Sequence, residues 1–248
     1  MIFCPEDQLE IKRTICHKLA ELTNEDQRSI ELWLAIAKSN TTEVQKLTAE
    51  GIDFNHALFM NTTPLIQAIA TGNTTIVSAL LSGNSENIDI NKTEQDQASP
   101  LYCSLGYLGQ PVNMAIVKLL LDNGARVNQP LYDGNTPMHM AHYNGNIEAI
   151  KLLLQHEGNI NAQNAEGKTP LHYLLEGKDI NLETKLEIIQ TFNQLYDVTL
   201  RDQDGKIVTD YASSENCPES LSLLINELLD TSPVSTSVNM DDINVAAC

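Results

Sequence analysis

Basic side chains are scarce in this chain: 15 Lys and Arg stand against 33 Asp and Glu, which leaves a formal net charge of -18. A phosphate backbone or an anionic lipid surface is repelled at long range by such a balance. Nucleic acid is therefore not an expected partner, and a protein with a basic rim is the electrostatic complement. Aromatics make up only 5%, so small and aliphatic contacts must build the core. The cysteines (Cys4, Cys16, Cys103, Cys217, Cys248) are odd in number and lack zinc or redox spacing, which reads as reduced thiols in a cytoplasmic protein. The opening MIFCPEDQ has no basic segment followed by an apolar one, and no run approaches the roughly 20 apolar residues that span a bilayer. Membrane insertion is not expected. Nor is there a phosphate-cradling Gly-rich loop, a His-Glu metal pair or a nucleophile elbow, so no cofactor, no metal and no enzymatic activity are expected.

What is present is self-similarity. DGNTPMHMA at 133–141 returns as EGKTPLHYL at 166–174, and weaker copies start at Met60 (MNTTPLIQA), Asp96 (DQASPLYCS) and Asp204 (DGKIVTDYA), with QRSIELWLA from Gln27 keeping only the apolar spacing. The Thr/Ser-Pro pairs are separated by 36, 37 and 33 residues (63 to 99, 99 to 136, 136 to 169). Within a copy each residue type has a physical task. Thr136 suits a helix N-cap, and Pro137 at the first helical position loses no useful donor. Ala141 lets two helices approach, and Gly145 can adopt the left-handed conformation that ends the first helix.

A second helix follows in every copy, marked by pairs at a spacing of three: Val44/Leu47, Val77/Leu80, Val117/Leu120, Ile150/Leu153, Ile189/Phe192 and Leu221/Leu224. Polar turns and alternating tails come next, ending in Asn55, Asn91, Asn128, Asn161 and Thr199, and the following copy opens five residues later each time. Units of this kind bury their apolar faces only against their neighbours, so one continuous array is the simplest organisation of the chain.

LLLDNGARVN (119–128) and TPLH (169–172) resemble the ankyrin repeat family, with its D-G-x-T-P-L-H-x-A, Val/Leu-rich helix and G-A-D-V-N. The resemblance covers about residues 27–229. It implies an all-α solenoid of stacked helix-turn-helix units with short β-hairpin fingers, its frames starting near 27, 60, 96, 133, 166 and 204. The first frame has Ile30-Glu31 and the last Ile207-Val208 where Thr-Pro belongs, as expected of end units. Residues 1–26, with Leu9, Ile15, Leu19 and Leu22 on one stripe, read as an N-terminal capping helix. Residues 230–248, without sustained periodicity, read as a disordered C-terminal tail.

The family typically binds proteins, which makes partner binding through the concave face and hairpin tips the expected function. The row before the Ala position (Leu34, Gln67, Cys103, Met140, Tyr173, Tyr211) is placed on that face by the resemblance, Leu34 being better read as core; Tyr107, His142 and Tyr143 lie near it. Tyr132, Asp133, Asn135, Glu166 and Lys168 are the expected tip contacts, beside Asp96, Asp204 and Lys206. His139 and His172 occupy the TPLH position, where the imidazole ties the Thr turn to neighbouring backbone. Two inter-helix segments, 106–111 and 177–183, are stretched and should emerge from one rim about 20 Å apart, two helix spacings on. An array rich in Asn, Gln, Ile and Thr and poor in Arg also resembles host-directed effectors of intracellular bacteria, which would place the chain in a host cytosol. The competing reading is a small thiol-dependent enzyme using Cys103 with His139 or His142.

Overall fold

The computed structural model describes residues 24–50, 62–83, 88–93, 97–107, 109, 111–177 and 179–212, with single positions at 221, 223 and 225. The expected capping helix ahead of residue 24, the expected tail at 230–248 and the tip residue Asp96 lie outside them. The chain forms two compact units, Met1–Glu94 and Gln95–Cys248.

In the first unit, α1 (Asn24–Ala37) and α2 (Thr41–Ala49) form one antiparallel pair and α3 (Pro64–Ala70) and α4 (Thr74–Gly83) the next, with α1 packed on α3 and α2 on α4. Ile36, Val44, Leu47, Val77 and Leu80 are fully or almost fully buried between them. Each such side chain contributes roughly 1.5–3 kcal/mol relative to exposure. Leu34 differs from its expected core role. It lies two residues, about 200° of helix, from both buried Leu32 and buried Ile36, and is 39% exposed.

The second unit repeats the pair. A short α5 (Pro100–Tyr102) runs into a π-type turn at Cys103–Tyr107, opened by Gly106 at φ 98. Then come α6 (Met114–Asp122), α7 (Pro137–Tyr143), α8 (Ile147–Gln155), α9 (Pro170–Glu176), α10 (Leu182–Thr191) and α11 (Val208–Ala212). The first helices α7, α9 and α11 stack in order, and the second helices α6 and α8 stack alongside them. The spacing-of-three row is the core here too: Val117, Leu120, Ile150, Leu153, Ile189 and Phe192 are all buried.

Local chemistry sets every boundary. Pro opens α3, α5, α7 and α9 after a Thr or Ser N-cap. Gly145 takes φ 62 as expected. A second device is found beside these: among the described residues, an Asn precedes each second helix and accepts one of its unpaired N–H groups. Asn40 caps Glu43 (3.2 Å), Asn73 Thr75 (3.1 Å), Asn113 Ala115 (3.1 Å), Asn146 Ala149 (2.9 Å) and Asn181 Thr184 (2.8 Å). The tail asparagines bridge units: Asn128 accepts from the Asn159 N–H (2.8 Å) and donates to the Glu157 carbonyl (3.0 Å), and Asn161 does the same with Asp197 (2.9 Å) and Leu195 (2.7 Å). The all-α class is as expected. The fingers, however, are hydrogen-bonded turns; among the described residues no strand forms.

Candidate functional site

Three fingers of the second unit close in the same way. The N–H of Leu131 donates to the Asn135 carbonyl (2.8 Å), that of Asn164 to Lys168 (3.0 Å) and that of Asp202 to Lys206 (2.9 Å). They are also joined to one another, Ala165 N–H donating to Asp133 O and Gln203 N–H to Glu166 O, both at 2.8 Å. The fingers thus form one hydrogen-bonded edge. Two of the three finger glycines have a role beside turn chemistry. Gly134 (φ 82) has Ala165 N and Asn164 Cα at 2.7 and 2.9 Å from where a Cβ would stand, and Gly167 (φ 74) has Asp202 Cα at 2.9 Å, whereas Gly205 (φ 77) has nothing within 4 Å. All three would strain alanine through φ, but only the first two would push away the next finger. Gly134→Ala is therefore expected to lose about 1–3 kcal/mol more than Gly205→Ala in urea unfolding. Equal losses would mean that the close approach of fingers contributes nothing.

Behind the fingers runs a column of alternating rings. His139 Nδ1 accepts the Thr136 N–H (3.1 Å), and its Nε2 donates to the Lys168 carbonyl of the next finger (3.0 Å). Its edge meets Tyr173, with ring centroids 5.3 Å apart. His172 repeats the Thr169 bond (3.2 Å) and meets Tyr211 at 5.1 Å. Its Nε2 has no partner in hydrogen-bonding geometry, and burial holds its pKa below the usual value, opposed in part by Asp202, Glu176 and the Lys206 backbone. In the last frame Asp210 takes the histidine's place, its carboxylate accepting the Ile207 N–H at 2.9 Å. The tyrosine hydroxyls reach back to the finger bases: Tyr173 accepts from Asn164 Nδ2 (3.1 Å), and Tyr211 donates to Asp202. Burial works against the Asp202 carboxylate, but Tyr211 and the N–H groups of Lys206 and Asp204 outweigh it and hold its pKa below the usual value.

Several expected contacts prove to be internal. His142 is 0% exposed, its Nδ1 donating to the Met138 carbonyl and its Nε2 accepting from the Tyr196 hydroxyl, both at 2.9 Å. It joins two repeats and offers a partner nothing. Cys103, expected as an anchor, is 3% exposed at the start of the π-type turn. Asn135 is buried between Asp133, which accepts from its Nδ2 (2.8 Å), and Asn164, which donates to its Oδ1 (2.9 Å). Tyr173 and Tyr211 are half-buried, with hydroxyls already bonded. On the surface remain Tyr132 (74% exposed), Tyr143 (47%) and Tyr107 (37%), with Glu166 exposed and Met140 and Asp133 half-buried. Gln67, in the first unit, is half-buried. Lys168 is held by Glu176 (2.7 Å) and Glu166 (3.2 Å) above the Tyr211 ring. Burial pulls its pKa down, yet the two carboxylates more than compensate and raise it.

The thiol-and-imidazole reading loses its base. Both ring nitrogens of His139 and of His142 are committed to other groups, and burial lowers their pKa to about 4 and about 3. The two stretched segments both adjoin the 143–145 turn. The Asn144 amide donates to Leu105 O beside Gly106, and Ile180 packs over Gly145.

Comparison with known proteins agrees with this geometry. The profile "Ankyrin repeats (3 copies)" matches residues 32–130 and 110–191. Over 94 residues the chain is 29% identical to alpha-latrotoxin-Lg1a of Latrodectus geometricus, a match covering 38% of this chain and 7% of the toxin. The chain thus spans a small fraction of that relative's length.

Proposed function

This chain belongs to the ankyrin repeat family, and on that premise we propose that it binds one protein partner through the fingers and first helices of residues 95–248. Ankyrin repeats are protein-interaction modules, and no helix among the described residues is long and apolar enough to cross a membrane. The observation that carries the reading is the hydrogen-bonded finger edge, which holds Tyr132 exposed beside Asp133 and Glu166. Such an edge is ordered before contact, so little conformational entropy opposes association. Tyrosines supply large contact area at modest ordering loss. The acidic tips and the net charge of -18 favour a partner whose contact has an apolar centre and a basic rim. The Asn-, Gln-, Ile- and Thr-rich, Arg-poor composition supports the finer reading of a bacterial effector in a host cytosol, with a host protein as that partner.

The test is affinity capture with the purified chain, identification of the retained protein by mass spectrometry, and titration of that protein. Tyr132→Ala combined with Tyr143→Ala is expected to weaken binding at least about tenfold, or about 1.4 kcal/mol. Affinity is also expected to fall as salt rises. Unchanged affinity in a double variant of unchanged melting temperature would remove this surface.

A further inference from the structure

At the rim opposite the fingertips in chain order, where α7 and α9 end, a cleft of about 250 Å³ opens between Tyr143, Asn144 and Gly145 on one wall and Gly177, Asp179 and Thr184 on the other. Its lining includes a backbone carbonyl and a carboxylate. The Tyr143 carbonyl faces Gly177, lying 3.3 Å from where a Cβ on that residue would stand. Asn144, on the same wall, donates an amide hydrogen to the Leu105 carbonyl. The Asp179 carboxylate is exposed. No basic side chain lines the cleft among the described residues; Lys178, next to Asp179 in sequence, lies outside them. Two helix C-termini also present carbonyl ends there, which favour positive charge. The chain supplies its own precedent, since Lys185 donates to the Leu175 carbonyl of α9 at 2.9 Å. Tyr143 adds a half-exposed ring, a face for a cation.

We propose that this cleft takes an arginine side chain of the partner protein, its guanidinium stacked on Tyr143 and forked onto Asp179. A guanidinium fits better than an ammonium because it is planar, stacks on a ring and pairs with a carboxylate through two parallel N–H groups. The inference rests on the chain being a protein-binding module and adds the residue type that the partner presents.

The test titrates an N-acetylated, C-amidated Gly-Arg-Gly peptide, and its neutral citrulline counterpart, into the isotope-labelled full chain. Saturable amide shifts at Tyr143, Gly145 and Gly177 are expected with arginine, and binding about tenfold weaker with citrulline. Asp179→Asn, on an exposed segment, should weaken the arginine peptide about fivefold at unchanged melting temperature. Absent or non-saturating shifts at those amides, equal response to citrulline, or indifference to Asp179→Asn each overturn the proposal. Asp179 has no part in the finger surface, so the two readings separate. Capture of the partner that survives Asp179→Asn while the arginine peptide fails to bind removes the cleft and leaves the finger surface standing; loss of capture on Tyr132→Ala speaks to the fingers alone.

Discussion

His139→Ala is expected to destabilise the 95–248 unit by about 3–5 kcal/mol, the loss typical of removing a buried ring. The imidazole is 0% exposed and works in two repeats at once. Its Nδ1 satisfies the Thr136 N–H, a helix-start donor with no intrahelical acceptor, and its Nε2 satisfies the Lys168 carbonyl of the next finger. Alanine leaves the Thr136 N–H buried and unpaired, at about 1–3 kcal/mol, takes from the Lys168 carbonyl the second of its two hydrogen bonds, the Asn164 N–H remaining, and opens a void against Tyr173. Urea unfolding followed by tyrosine fluorescence measures the loss. A change below about 1 kcal/mol would show that these bonds are readily replaced by water. The result also bears on the enzyme alternative: silencing of Cys103 by this substitution would report unfolding, so it cannot serve as a test of a catalytic pair.

Much of the scaffold was legible because repeat architecture writes itself periodically. The Thr/Ser-Pro pairs, the Val/Leu row and the left-handed Gly145 each recur at fixed offsets, and each is where the frame puts it. Leu34 departs from the expected core role because it lies off the face that buries Leu32 and Ile36. The binding face was less legible, since the periodic frame assigns a position and not the direction of its side chain. Tyr173 and Tyr211 share the row with Met140, but their hydroxyls find Asn164 and Asp202 nine residues earlier and turn the rings onto the histidines. Asn164 and Asp202 are a clue in the sequence, each eight residues before the TPLH-position residue of its unit (His172 and Asp210) and two before the tip residue, yet Leu131 fills that place in the preceding finger. For His142 the partner Tyr196 lies 54 residues away, beyond any local pattern.

Those inward turns decide where a partner can gain most. With Tyr173, Tyr211, His142 and Asn135 used internally, the uncommitted contact area lies at Tyr132 and Tyr143, one at a fingertip and one at a first-helix end. Between them stand the half-buried Met140 and the edge contact of Tyr143 with Tyr173, at 6.4 Å. A flat or extended partner that follows the first helices from tip to rim would meet both tyrosines. One that engages the tips alone would leave Tyr143→Ala without effect, and the single variants therefore report how far along the repeat the contact runs.

Acidification from pH 7 to 5 is expected to weaken the 95–248 unit steeply. Burial depresses the folded-state pKa of His139 to about 4 and of His142 to about 3, and lowers that of His172, from an ordinary 6.5. Below 6.5 the unfolded chain binds protons that the folded chain refuses, so stability falls as pH falls. The stabilisation is fully present above 6.5 and is lost on the way down to each folded value. Each histidine contributes up to about 1.4 kcal/mol per pH unit within its window, and His139 with His142 on the order of 5 kcal/mol by pH 4.5. Relief of the net charge of -18 acts in the opposite direction, but carboxylates take up protons mainly below about pH 5. The interval from 6.5 to 5 therefore isolates the histidines. Urea midpoints at pH 7, 6 and 5 should decline, and His142→Gln should flatten the decline by about 1.4 kcal/mol per pH unit whatever its effect on absolute stability. A variant slope equal to that of the parent chain would mean that His142 protonates as readily folded as unfolded, which a ring enclosed by Met138 and Tyr196 cannot do without opening the repeat.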